Sequence, residues 1–109
     1  MLPSLALQPG FVTIIVVSSI ARAIGVEAKS KDADVLLGPT INLHRHPLGG
    51  RHFECYSEDP ILTGELASSY VKGVQSVGVS ACLKHFIGND TEYQRHFAVS
   101  YTHLRAHET

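Results

Sequence analysis

The chain of 109 residues is long enough for one small domain with a modest core. Nine Lys plus Arg stand against ten Asp plus Glu, for a net charge of −1. That balance excludes a broad electrostatic attraction to nucleic acid or to an anionic membrane surface, and it favours a small neutral ligand as partner.

In chain order, residues 1–21 carry no charge, and the run FVTIIVV at 11–17 is strongly apolar. A secretory leader places basic residues ahead of such a run, yet here the first is Arg22, behind it. The run also falls short of the roughly 20 residues that a membrane span requires. It is expected to be a buried element, some of whose partners lie outside this chain. From Ser18 to Ser30 the pattern is helical, with Ile20, Ile24 and Ala28 at four-residue spacing and Lys29 and Lys31 where a helix end favours cations.

Val35-Leu36-Leu37, stopped by Gly38-Pro39, reads as a buried parallel strand. A long loop follows from Thr40 to Asp59, of the kind usually kept for function. Within it Gly49 and Gly50 allow a sharp turn that presents Arg51. Ser57-Glu58-Asp59-Pro60 has the order of a helix start: a short acceptor, acids at the positive end of the dipole, and proline in the first turn. Leu62, Leu66, Tyr70, Val74 and Val77 mark one face of a helix from about Pro60 to Ser76, which Gly78 ends. Val79 to Leu83 is the next strand. Helix and strand in alternation predict a parallel sheet covered by helices.

In a parallel sheet, ligands sit at the carboxyl ends of strands. Arg51 follows the first strand and Lys84, His85 and Arg95 follow the second, so all four can face one site. Lys84 offers three donors, Arg95 a planar fork, and His85 a donor or an acceptor according to tautomer. Cys55 and Cys82 match neither a zinc spacing nor a disulfide framework and are read as free thiols. His44, His46 and His52 invite a metal reading, but no acid or cysteine stands at a recognised spacing from them, and no metal is expected. Asn89-Asp90-Thr91 reads as a turn with no chemistry of its own.

The segments GPTINLHRHPLGGRHFECYSEDP (38–60) and KHFIGNDTEYQR (84–95) resemble the barrel domain of the β-glucosidases of glycoside hydrolase family 3. The β-branched cluster Val12 to Val17 departs from the more polar amphipathic helix usual there. The resemblance implies an α/β fold: an incomplete (β/α)8 TIM-barrel fragment with parallel strands and covering helices, a whole barrel needing roughly 250 residues. On this reading residues 1–98 are part of the family's N-terminal barrel domain. Lys84, His85 and Arg95 are implied to hydrogen-bond sugar hydroxyls with Arg51 beside them, while the acids of FECYSEDP and Glu92 anchor the loop. The nucleophilic aspartate and the acid/base glutamate are implied to lie outside this chain.

The implied function is that of a fragment of a retaining glycoside hydrolase acting on terminal β-glycosidic bonds. The parent needs no cofactor, its partner is a small carbohydrate, and this chain supplies sugar-binding residues only. The alternatives are a non-catalytic truncated remnant and a membrane-tethered sugar-binding module. Ile87-Gly88-Asn89-Asp90 is not the glycine- and histidine-rich loop of the family's N-acetylglucosaminidases. Residues 99–109, VSYTHLRAHET, resemble a translated sequencing-adapter frame and are read as a non-native tail. His103, Arg105 and His107 are accordingly left out of the site.

Overall fold

The computed structural model describes residues 9–93 and 95–97, so the tail at 99–109 lies outside the described residues. The first element, helix α1 (Pro9–Ser30), spans 22 residues. It starts well ahead of Ser18, the start that periodicity gives, and takes in the whole β-branched cluster. β-Branched residues lose only a few tenths of a kcal/mol each in a helix, about 0.5 on common scales, and packing of one face outweighs that.

The packed face of α1 also lies one residue over from the isoleucine stripe. Ala21 is fully buried and Gly25 is buried, whereas Ile20 is 54% exposed. The reason is the close approach of the second helix, α2 (Pro60–Gln75). A Cβ built on Gly73 would stand 2.5 Å from the Ser18 carbonyl oxygen and 2.8 Å from the Ala21 Cβ, and one on Gly25 would stand 2.6 Å from Val77 Cγ2. Only small residues fit such a seam, so the large ones turn outward. Val12, Ile15, Val16, Ile20 and Val26 are each about half exposed. Among the described residues no helix is long and apolar enough to cross a membrane.

The end of α1 is a Schellman closure, with the Ala33 amide donating to the Ala28 carbonyl and the Asp32 amide to that of Lys29. Asp32 sits at φ 60° there. Strand β1 (Val35–Leu36) follows, and β2 (Ser80–Ala81) lies parallel to it, with Val35 opposite Ser80 and Leu36 opposite Ala81. Between them α2 makes the crossover. It starts where the sequence places it: Asp59 caps it by accepting from the Ile61 amide at 2.9 Å, and Pro60 takes the first turn. Gly78, at φ 85°, turns the chain back after the helix.

Both strands are shorter than their apolar runs. Leu37 is 70% exposed and Leu83 is 43% exposed, both lying past the ends of the two paired strands that make up the sheet among the described residues. Beyond Leu36 the track becomes irregular at Gly38-Pro39, since proline has no amide to continue the ladder. It pairs again at the Thr40–Lys84 bridge. Ala21, Val74 and Val79 form the buried centre, with Ala28, Leu36, Tyr70, Val77 and Ala81 packed around them. The described residues are thus a small α/β piece with two parallel strands.

Candidate functional site

The resumed pairing fixes the place of Lys84. Its amide donates to the Pro39 carbonyl at 3.0 Å, and its own carbonyl accepts from the Ile41 amide at 2.7 Å. His85, next along, is held by the buried side chain of Asn42. Asn42 Oδ1 accepts from the His85 amide at 2.7 Å and lies 3.2 Å from the ring Nδ1, while Asn42 Nδ2 donates to the His85 carbonyl at 3.1 Å. An amide oxygen only accepts, so this contact sets the tautomer with hydrogen on Nδ1 and leaves Nε2 as a bare acceptor. Burial, joined by the Arg51 and Lys84 charges, pushes the imidazole below its ordinary value and keeps it neutral.

Arg51 precedes a single 3-10 turn, His52–Glu54, which brings Glu54 back onto it. Arg51 Nε lies 2.5 Å from Glu54 Oε1. The other oxygen of Glu54 receives Lys84 Nζ at 3.2 Å and the Thr40 hydroxyl at 3.0 Å. The bond from Arg51 is the main reason that the Glu54 carboxyl is held at about 2, with Thr40 and Lys84 adding to it against the opposing effect of burial. On the far side Glu92 stands 3.7 Å from Arg51 and 3.2 Å from Arg95, and it accepts from Asn89 at 3.2 Å.

One chain of charges therefore runs Lys84, Glu54, Arg51, Glu92, Arg95. Three cations against two carboxylates leave the cluster one positive charge in excess. The structure brings together all four residues singled out in the sequence, with Arg95 at the exposed rim.

Sequence reasoning missed two residues. Asn42 is a lone polar side chain in a loop, and its partner is 43 residues away. Asp90, read as turn filler, accepts from the Leu43 amide at 3.1 Å and pairs with Arg45 Nε at 2.5 Å. It ties the loop after β1 to the loop after β2, a structural part that the turn reading of 89–91 did not assign. Sequence spacing gives the histidines no cysteine partner, yet the folded loop brings one beside them. The 3-10 turn gathers one ligand atom each from His44, His52 and Cys55 within 4.8 Å of one another. Cys55 and Cys82 are free thiols, as expected.

Two hollows flank the cluster. One of about 610 Å³ is lined by His46, Leu48, Gly49, Gly50, Glu92 and Tyr93, and so borders the charge chain. The other, about 640 Å³, is apolar, lies against α2 beside Ile41, Leu43, Ala67, Val71 and Leu83, and contains none of the four residues.

These features define a piece of a parallel α/β domain with a polar site at the carboxyl ends of its strands. The chain matches the family described as Glycosyl hydrolase family 3 N terminal domain over residues 1–108 and belongs to that family. It is 59% identical over 73 residues to a β-glucosidase of Rhizobium radiobacter, covering 67% of this chain and 9% of that protein. It is 52% identical over 79 residues to the thermostable β-glucosidase B of Acetivibrio thermocellus, covering 72% and 10%. The structure of β-glucosidase 3B from Thermotoga neapolitana in complex with α-D-glucose superposes with a TM-score of 0.69 at 56% identity, over 70% of this chain and 11% of that one. The chain thus spans about a tenth of the length of the curated relatives it matches.

Proposed function

We propose that this chain is a portion of a β-glucosidase-like enzyme that hydrolyses terminal β-glycosidic bonds with retention, and that its part is to hold the non-reducing sugar. Arg51 and Lys84 donate to ring hydroxyls, Arg95 closes the rim, and His85 Nε2 accepts from a hydroxyl. The relatives named as β-glucosidases support this class, and the glucose complex of one of them supports a pyranose as ligand. The observation that carries the reading is the convergence of Arg51, Lys84 and His85 at one strand end, with Glu54 balancing the cations. Each cation keeps further N–H donors free for hydroxyls after its ion pair is made.

The reacting acids are assigned elsewhere in the protein. A retaining glycosidase needs two carboxyl groups, one nucleophilic and one able to give up a proton. Glu54 is locked in ion pairs and held at about 2, and Glu92 is shared between Arg51 and Arg95. Neither suits those tasks. On this reading β1, α2 and β2 are one repeat of an incomplete (β/α)8 barrel within residues 1–98, and 99–109 is a non-native tail. The test is the protein encoded by the surrounding gene, assayed on an aryl β-glucoside with the first product followed by NMR. A product of retained configuration is expected, and an inverted one refutes the mechanism.

The chain by itself is assigned a non-catalytic role. The half-exposed apolar side of α1 and the exposed Leu37 and Ile61 support this, since they mark surfaces built to be covered by more of the protein. Hydrolysis by the purified 109-residue chain would overturn that assignment.

A further inference from the structure

We propose that His44, His52 and Cys55 form a binding site for a thiophilic divalent cation of the zinc class, separate from the sugar-holding residues. The three ligand atoms lie within 4.8 Å of one another. Two nitrogens and one thiolate sulfur around tetrahedral zinc, at about 2.0–2.3 Å each, stand about 3.3–3.6 Å apart, so closure asks for a contraction of up to roughly 1.5 Å. The set is soft and nitrogen-rich, which favours zinc over magnesium or calcium. A water molecule completes the tetrahedron.

Each ring spends one nitrogen on a backbone carbonyl and keeps the other for a metal. His44 Nε2 lies 2.9 Å from the His52 carbonyl, and His52 Nε2 lies against the His46 carbonyl. A carbonyl oxygen only accepts, so each ring carries its hydrogen on Nε2 and keeps a bare lone pair on Nδ1. Donation of the remote ring N–H to a backbone carbonyl is the arrangement that orients metal-bound histidines. The rings face each other at 4.9 Å between centroids, tilted by 58°. His44 sits on the loop after β1, while His52 and Cys55 bracket the 3-10 turn. The cation would therefore join two segments.

Cys55 is half-buried at the end of the 3-10 turn. Metal binding replaces the thiol proton, one proton being released to solvent for each Cys55–metal bond formed.

The probe is cobalt(II), which replaces zinc and gives a thiolate charge-transfer band when sulfur is bound. Titrated into the full chain, it is expected to produce that band at one equivalent and to lose it on addition of zinc. Cys55→Ser should abolish the band, Cys82→Ser should retain it, and His52→Asn should weaken binding by about a hundredfold, the upper end of what even an outer partner costs when removed. Far-ultraviolet circular dichroism of each variant checks that folding survives. A band that persists in Cys55→Ser, an undiminished affinity in His52→Asn, or equal binding by the urea-unfolded chain would overturn the proposal. No sugar enters the test, so its outcome is independent of the glycosidase reading.

Discussion

Two glycines of α2 predict opposite responses to one substitution. Gly64 lies inside the helix with no atom within 4 Å of a Cβ built on it, so Gly64→Ala adds a methyl group to open space. The gain is the helix propensity difference, about 0.8–1.0 kcal/mol. Gly73→Ala carries the same propensity gain but places its methyl 2.5 Å from the Ser18 carbonyl oxygen, 2.8 Å from Ala21 Cβ and 3.1 Å from the Arg22 amide nitrogen. Two of these are backbone atoms of α1, so no side chain can rotate away, and the helices must part by close to 1 Å. Overpacking of this kind costs about 1–3 kcal/mol, and the larger part of that range applies because Ala21 lies at the fully buried centre. The net effect is a loss of about 1–2 kcal/mol, some 2–3 kcal/mol below Gly64→Ala. Urea unfolding followed by circular dichroism reads this directly. With a slope of about 1 kcal/mol/M, Gly64→Ala raises the midpoint by just under 1 M and Gly73→Ala lowers it by 1–2 M. A Gly73→Ala midpoint at or above that of the parent would refute the close seam between α1 and α2.

Asp59→Ala removes the side-chain acceptor from the Ile61 amide and should cost about 1 kcal/mol in the same urea experiment, with Asp59→Asn recovering most of it. An unchanged midpoint in Asp59→Ala would show that the cap contributes nothing. His85 predicts a pH dependence. Burial, Arg51 and Lys84 hold its imidazole below 6.5 against the opposing pull of Glu54 and Glu92, so the folded site resists a proton that the unfolded chain accepts. Stability from this group is complete above 6.5 and declines as pH falls below it, and the neutral Nε2 acceptor survives to a lower pH than an ordinary histidine would allow. Glucose affinity measured against pH should therefore stay flat through 6.5 and fall only beneath it, whereas a break at or above 6.5 would contradict the assignment.

Local chemistry made α2 legible. An acid cap, a proline at the first turn and a four-residue apolar rhythm all act within a few residues, and the observed Pro60–Gln75 differs from the expected end by one residue. The start of α1 was not legible, because Val12 to Val17 have strand propensity and the packing that overrides it comes from Gly73, more than fifty residues on. The same distance hid which stripe of α1 is buried. At the site, Arg51, Lys84, His85 and Arg95 lie behind strand ends, a place the topology permits, and the resemblance of their segments to the family singled them out. The groups that hold them were not singled out. Asn42 and Asp90 act on partners 43 and 47 residues away, and loop residues have no periodicity to betray such pairing. Cys55 joined His44 and His52 only through the 3-10 turn, which sequence spacing does not reveal.

The account rests on Lys84 and its neighbours holding a sugar, and glucose titration calorimetry on the full-length protein tests that most directly. Lys84→Met should weaken glucose binding by about tenfold to a hundredfold, the worth of a hydrogen bond from a charged donor, with the thermal midpoint changed little because Glu54 keeps Arg51 and Thr40. Lys29→Met, on the opposite side of the fold where its Nζ meets the Val77 carbonyl at 3.2 Å, should leave glucose affinity unchanged. Equal affinity in Lys84→Met and the parent protein would contradict the claim.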